Sequence, residues 1–356
     1  MKKNLVILVF LLFVIMVIAN MQIAAQESIK LNLPQAVEMA LTNNLEFQKS
    51  GYQLQNAGID FKKDESENLL TQSNLSERQN ESLLIQEKEQ YQQKKEDLII
   101  QVVDGYLQLK LSEKDIQVKE NKLKLKKNTL ENIKVQVKAG YKVERDVLEQ
   151  NTEYFDALFS SESAKLAYQQ LLGNFRMTLG LASNIRIELT NIGLPNFKEI
   201  DLKQAIQEGR KNSVELRIKT WEIDLASMEL EKSKVSDTPE IDLNKLENNL
   251  AMTKLDYQIA RQNLDYQVQS QWQNYVQKKN DIILSQKYLE QIKKHKAIIG
   301  NQVKAGLASE DEELSAKIGV LESEYQLASS IRNCYSALLQ LKSIMGNLNK
   351  EIGDIQ

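Results

Sequence analysis

The sequence predicts an all-α protein, built from long antiparallel coiled-coil helical hairpins in two internal repeats. Charged residues make up 27% of the 356 residues and aromatic residues 6%, with only three prolines and thirteen glycines. So few helix breakers are typical of long helices and coiled coils. The pentapeptide Gln-Val-Lys-Ala-Gly occurs twice, at 136–140 and 302–306. Apolar residues also recur at every seventh position, which is the period of a coiled coil.

The repeat extends far beyond the pentapeptide. The segment 102–180 aligns with 268–346 without a gap, which places Tyr106 over Trp272, and upstream the segment 33–47 aligns with 202–216. Self-similarity over this length means that the chain is two copies of one unit. The predicted organisation is a first helical repeat over 26–181, a linker over 182–201, a second helical repeat over 202–347 and a C-terminal tail over 348–356.

Within each repeat the apolar residues predict a helical hairpin. One line of the first repeat runs through Val102, Leu109, Ile116, Leu123, Leu130 and Val137. Strict seven-residue spacing indicates left-handed supercoiling against a partner helix. Gly140 and Gly306 then end the outgoing helices, because glycine tolerates the left-handed backbone that follows a helix. In the first repeat we expect the outgoing arm from about Tyr91 to Ala139.

Residues 1–25 have the features of a secretory signal peptide. Two lysines precede an apolar run at 5–18, and small residues lead to a predicted cleavage site after Ala25. An uncleaved anchor is the alternative, but the polar Asn20 and Gln22 shorten the apolar run below the roughly 20 residues of a membrane-spanning helix. Either way, we expect the body of the protein outside the cytoplasm.

The composition argues against several chemistries. The only histidine and the only cysteine, His295 and Cys334, are too few for a zinc site built from such ligands. Cys334 lies on an apolar line where its counterpart is Tyr168, so we interpret it as a core residue, and His295 lies among lysines on a solvated face. The net charge of −3 has no basic stripe of the kind that nucleic-acid binders show. We predict no enzyme, no cofactor, no metal site and no nucleic-acid partner.

The order of these segments resembles the TolC-like family of outer membrane efflux proteins. The stretch LNLPQAVEMALTNNLEF (31–47) is similar to that family's opening helix, and LKQAIQEGRKNSVEL (202–216) is similar to its counterpart in the second repeat. Residues 101–150 are similar to the family's long helix, tip and returning helix, and residues 260–292 to its second long helix. The repeats end in the expected Leu-Gly and Met-Gly, so the resemblance covers nearly all of the mature chain.

This resemblance implies a homotrimer that forms a hollow helical tube in the cell envelope, in the periplasm or at the outer membrane. The hairpin tips, at 138–146 and 304–312, would dock onto a periplasmic adaptor and an inner-membrane transporter, and substrates would leave through the bore. The implied docking or entrance residues are Lys138, Ala139, Gly140, Asp146, Lys304, Ala305, Gly306 and Glu312.

Acidic tip residues help to constrict the entrance in that family, and two of them fall here on Asp146 and Glu312. A further acid would fall at Ser315, which leaves either a weaker constriction or one built from Glu310, Asp311 and Glu313. A second interpretation suits Asp146 and Glu312 equally: acids in the first turn stabilise a helix through its dipole.

The chain departs from the family where its members insert a β-hairpin into each repeat to form the outer-membrane barrel. Such strands need about 9 to 11 residues with alternating apolar and polar side chains. The corresponding intervals, 62–90 and 233–256, are charged and lack this alternation, and Asp237-Thr238-Pro239 is typical of a helix start. We therefore predict a shortened member with little or no β-barrel, which argues against insertion into the outer membrane.

Two functions remain open from the sequence. The first is an efflux or export conduit component, a periplasmic tube that works with an adaptor and a transporter. The second is a non-transporting coiled-coil protein with a structural or adaptor-like role in the envelope. A closed tube needs a further seam between subunits, for which Tyr106, Trp272 and Tyr275 are candidates, although a core position suits them equally. We favour the conduit.

Overall fold

The computed structural model describes residues 28–71, 74–191 and 199–348, and this part of the chain is 87% helical. The prediction of an all-α fold is confirmed. The helices are α1 (Leu33–Asn43), α2 (Leu45–Thr71), α3 (Asn74–Lys138), α4 (Glu144–Thr178), α5 (Leu202–Asn212), α6 (Val214–Val235), α7 (Glu240–Lys304) and α8 (Glu310–Ile344). The only strands in the described residues are β1 (Ser28–Leu31) and β2 (Arg186–Leu189).

Four predicted segments fall wholly or partly outside the described residues. They are the signal peptide at 1–25, the first repeat at residues 26–27 and 72–73, the linker at residues 192–198 and the tail at residues 349–356.

Each half of the chain contains one long hairpin. Helices α3 and α7 have 65 residues each, or roughly 98 Å at 1.5 Å per residue. Helix α4 returns along α3, and α8 returns along α7, with 35 residues each. In the sequence alignment of the two repeats, α3 and α7 begin and end at corresponding residues, and so do α4 and α8.

The first long helix begins at Asn74, earlier than the expected start near Tyr91. Residues 77–90 consist mostly of Glu, Gln, Leu, Lys and Ser, and the first four of these are strong helix formers. Helix α2 packs against this early part of α3, and the rings of Phe47 and Tyr91 stack there with centroids 5.1 Å apart. Packing against α2 therefore stabilises the part of α3 that precedes the seven-residue line of apolar residues beginning at Val102.

The interval 233–256, which lacks the alternation of a membrane strand, is mostly helical. Helix α6 ends at Val235, and α7 begins at Glu240, directly after Pro239, where a helix start was predicted. In neither interval do the described residues form a strand.

A small parallel sheet ties the start of the first repeat to the linker. Strand β1 pairs in parallel with β2, which lies within the predicted linker. The hydroxyl of Tyr106 lies 3.1 Å from the carbonyl oxygen of Leu31, which ends β1, and 2.8 Å from that of Thr190, which directly follows β2. Burial raises the pKa of the Tyr106 phenol, so the hydroxyl remains a donor at neutral pH.

The second repeat has an equivalent hydrogen bond at the position that corresponds to Tyr106. The indole nitrogen of Trp272 donates to the carbonyl oxygen of Ile200 over 2.7 Å. Trp272 is the counterpart of Tyr106 in the alignment of the long helices, and Ile200 is the counterpart of Leu31 in the upstream alignment. An aromatic donor on each long helix therefore fixes the segment that leads into the first helix of its own repeat.

Removing the hydroxyl by Tyr106→Phe is expected to destabilise the protein by roughly 1 to 3 kcal/mol, because the carbonyl oxygens of Leu31 and Thr190 lose the hydroxyl as a donor while the ring still fills its site. The measurement is the midpoint of thermal unfolding, followed by circular dichroism. Tyr52→Phe serves as the control, because Tyr52 is exposed on α2. Equal midpoints for the two variants would contradict the role given to the Tyr106 hydroxyl.

The aromatic residues that were candidates for a seam between subunits lie in the core. Tyr106 and Tyr275 are fully buried, and Trp272 packs partly buried against the apolar cluster of the second half. Cys334 is buried in the same cluster as Tyr275, as predicted for a core residue, and burial raises the pKa of its thiol to about 12. A thiol with so high a pKa is not a nucleophile at neutral pH.

Candidate functional site: hairpin tips and edge helices

Both tips turn on a glycine with a left-handed backbone. Gly140 has φ of 80° and Gly306 has φ of 71°, a region that other residues resist. The amide of Gly140 donates to the carbonyl of Val137 and the amide of Tyr141 to that of Gln136, which completes a Schellman C-cap. The amides of the second tip make the corresponding bonds. The repeated pentapeptide is therefore the helix-stop signal of each hairpin.

The two tip acids cap the returning helices. The amide of Val143 donates to a carboxylate oxygen of Asp146 over 3.2 Å. In the second tip, Ser309 and Glu312 form a full capping box, with the Ser309 amide 2.7 Å from the Glu312 carboxylate. These bonds lower the pKa of the Glu312 carboxyl. The structure thus supports the interpretation of both acids as helix-stabilising residues, while a role in constricting an entrance stays a prediction.

The cap at Ser309 is expected to weaken in acid. Because the folded-state pKa of Glu312 is lowered, its stabilising bonds are present at neutral pH and are lost as the pH falls through that lowered pKa. Amide hydrogen exchange over residues 309–313 should show protection that drops in this acid range. Glu312→Ala should give low protection at every pH, whereas Glu313→Ala should keep the wild-type profile. A pH-independent wild-type profile would contradict the cap.

The other predicted tip residues are accessible. Lys138, Ala139, Gly140, Lys304, Ala305 and Gly306 are all exposed. Three apolar side chains are exposed beside them, Tyr141 (84%), Val143 (62%) and Leu307 (79%). Sequence reasoning did not single out these three, although apolar residues in a turn are an unusual choice.

Polar contacts join the two hairpins within the chain, along α3 and α8. Asp311 accepts from Asn128 over 2.9 Å and from Asn132 over 3.1 Å, so it is bound to the other hairpin. The further contacts of this internal seam are Lys122–Glu322 (2.6 Å), Lys114–Glu324 (3.7 Å), Asp104–Arg332 (2.9 Å) and Glu96–Ser343 (2.7 Å).

The long helices and their returning partners form a layer with α4 at one edge and α7 at the other. Helix α4 packs on α3, α3 on α8, and α8 on α7, which gives the order α4–α3–α8–α7. Farther from the tips, α2 packs on α3, and α6 packs between α3 and α7. One edge of the layer is therefore formed by α2 and α4, and the other by α7.

Each edge carries exposed apolar side chains. The first-edge stripe consists of Leu45, Tyr52 and Ile59 on α2 and of Leu148, Phe155, Phe159, Leu166 and Met177 on α4. The second-edge stripe consists of Ile241, Met252, Leu255, Ile259, Tyr266, Leu284, Tyr288 and Ile298 on α7. The spacings are close to whole numbers of helical turns, so each stripe lies on one face of its helix. Exposed apolar side chains in this number along one helix face are a feature of interaction sites.

Other types of site have little support. Among the described residues, no three His, Cys, Asp or Glu side chains are grouped so as to hold a metal ion. No helix in the described ranges combines the length and the apolarity that a membrane crossing needs. His295 is exposed on α7, well apart in sequence from the buried Cys334.

No protein-family model matches the sequence, and no curated protein is similar to it. Solved structures, in contrast, match over most of their length. The outer membrane protein VceC from Vibrio cholerae has a TM-score of 0.64 at 11% identity, over 88% of this chain and 96% of that one. The Campylobacter jejuni CmeC outer membrane channel has a TM-score of 0.64 at 11% identity, over 91% and 89% of the two chains.

The open state of the Neisseria gonorrhoeae MtrE outer membrane channel has a TM-score of 0.63 at 13% identity, over 89% of both chains. These proteins share the architecture that the sequence resemblance implied. The chain has the TolC-like fold. The prediction of a TolC-like architecture is confirmed.

Proposed function

We propose that the protein is a conduit component of an efflux or export system, a helical tube formed by a ring of three subunits. The observation that carries this proposal is the pair of apolar stripes at opposite edges of a layer with the TolC-like fold. Burying the first-edge stripe of one subunit against the second-edge stripe of the next removes both from water. Two different surfaces that fit each other give a head-to-tail contact, and such a contact closes into a ring when the rotation from one subunit to the next adds up to a full turn.

The charges of the edges support this contact. Residues 144–170 of α4 contain six acidic and two basic residues, whereas residues 278–304 of α7 contain seven lysines and two acidic residues. Both segments are the tip-proximal parts of their helices, so they lie at the same height in a ring of parallel subunits. Opposite potentials that face each other steer association and disfavour other registers.

The exposed tips are the proposed docking site for a periplasmic adaptor and an inner-membrane transporter. Tyr141, Val143 and Leu307 provide apolar surface there, next to the predicted residues Lys138, Ala139, Gly140, Lys304, Ala305 and Gly306. Aromatic and aliphatic side chains in such a position are typical of binding surfaces with a few strong contacts. Export to the cell envelope belongs to the same proposal, and it rests on the signal peptide predicted at residues 1–25.

The first experiment is the molar mass of the exported protein, measured by light scattering after gel filtration without detergent. A trimer with an open bore in end-on electron micrographs supports the conduit, and a strain that lacks the protein should then accumulate the exported compound. A monomer or dimer contradicts the closed tube and favours the coiled-coil scaffold.

A further inference from the structure

We propose that the end of the molecule opposite the tips is a second docking surface, for a protein partner with a basic and partly apolar surface. This end, here called the distal rim, consists of residues 64–71 and 74–81, where α2 ends and α3 begins, and of residues 229–246, where α6 ends and α7 begins. The full 65-residue length of α3 or α7 separates each part of the rim from its tip. The inference goes beyond the proposed function, which assigns partners to the tips alone.

The distal rim is strongly acidic. Residues 64–71 and 74–81 together contain five acidic residues and one basic residue, and residues 229–246 contain five acidic and three basic residues. Ten acidic and four basic residues give the rim a net charge of −6, twice the −3 of the whole chain. A surface with an excess of one sign favours and steers a partner of the opposite sign. The partner's surface is therefore basic.

Two apolar side chains are exposed within this acidic surface, on either side of the turn at 236–239. Val235, the last residue of α6, is 90% exposed. Ile241, in the first turn of α7 and at the start of the second-edge stripe, is 78% exposed. The acidic Asp237 and Glu240 are exposed between them. Since segments beside a turn are usually polar, this apolar pair is an unusual choice, and it offers surface that an apolar side chain of a partner can cover.

A protein suits the distal rim better than a membrane, a nucleic acid or a second copy of the chain. Anionic lipids attract basic segments and repel acidic ones, and the rim contains no Trp, Tyr or Phe, the residues that favour a membrane interface. The phosphates of a nucleic acid are repelled in the same way. Two copies docked rim to rim would place like charges opposite each other. A basic protein surface with a small apolar pocket meets none of these obstacles.

The test is site-specific photo-crosslinking in the cells that make the protein. Benzoylphenylalanine in place of Val235 should give a covalent adduct with a different protein, and mass spectrometry of the crosslinked peptide should identify a basic segment with apolar residues. Glu67→Lys with Asp237→Lys reverses one exposed charge on each part of the rim and should lower the adduct yield at least about fivefold. The matched control, Glu38→Lys with Glu199→Lys, makes the same change in charge at exposed positions on α1 and before α5, and it should keep the yield.

Several results would overturn the inference. They are the absence of an adduct, an adduct with an acidic segment or with a second copy of the chain, and equal yields in the rim variant and its control. Flotation with vesicles of phosphatidylethanolamine and phosphatidylglycerol tests the membrane, and binding of the wild-type protein to them would assign the rim to lipid instead. The molar mass of the wild-type protein separates this inference from the proposed function. A trimer without an adduct overturns only the distal docking surface, whereas a monomer with the expected adduct overturns only the ring.

Discussion

Gly180→Ala is expected to destabilise the protein by roughly 2 to 6 kcal/mol, the sum of two costs. Gly180 ends α4 with φ of 66°, a conformation that costs other residues about 1 to 3 kcal/mol. An added Cβ would also lie 2.4 Å from the carbonyl oxygen of Asn43, a backbone atom at the end of α1. Forcing these elements apart disturbs close packing, at a further cost of about 1 to 3 kcal/mol. The measurement is urea unfolding followed by far-UV circular dichroism.

Gly140→Ala is the matched control for this prediction. Gly140 also has a left-handed backbone, with φ of 80°, but its added Cβ would meet no atom within 4 Å. Only the conformational cost of about 1 to 3 kcal/mol remains. Gly346, the counterpart of Gly180, should behave as Gly180 does, because its added Cβ would lie 2.6 Å from Asn212. Similar costs at Gly140 and Gly180 would show that the contact with α1 has no effect on stability.

Leu148→Glu combined with Phe159→Glu is expected to abolish assembly without unfolding the subunit. Both side chains belong to the first-edge stripe and are exposed, by 69% and 78%, so the isolated subunit loses little when they change. Surface substitutions of this kind usually alter stability by no more than about 0.5 kcal/mol each. The assembled ring, in contrast, would have to bury two carboxylates against apolar residues of α7, which is costly. Light scattering should show the mass of one subunit, and circular dichroism an unchanged helical spectrum.

Val235→Glu is the control for the edge variant. Val235 is 90% exposed and apolar, but it lies at the end of α6 and outside both stripes. Its substitution should leave the mass of the assembly unchanged. If Val235→Glu dissociated the assembly as effectively as the pair on α4, a general effect of added negative charge would explain the result.

The sequence predicted those parts of the fold that depend on regular spacing or on glycine. The seven-residue lines identified the two hairpins, and Gly140 and Gly306 located their turns. The start of α3 was placed too late because residues 74–90 have no such line, and their helix is stabilised by packing on α2. Contacts between segments distant in sequence, such as β1 with β2, have no local signal of this kind.

The candidate site was predicted only in part for a related reason. Helix α4 buries Phe175 in the core and carries a second apolar line on another face. That second line runs through Leu148, Phe155, Phe159, Leu166 and Met177. A helix that is apolar on two faces indicates two partners. The signal was therefore present, but only the packing order shows which face remains without a partner.

The order α4–α3–α8–α7 also decides what limits the size of the assembly. Two unlike edges that fit each other can add subunits without end, and a flat arrangement would give a growing ribbon or filament. Only curvature brings the last free edge back to the first. In the proposed ring, the packing of α3 on α8 lies in the middle of every subunit, so its tilt adds to the curvature once per subunit. A substitution that alters this tilt is therefore expected to favour an open fibre over a closed ring.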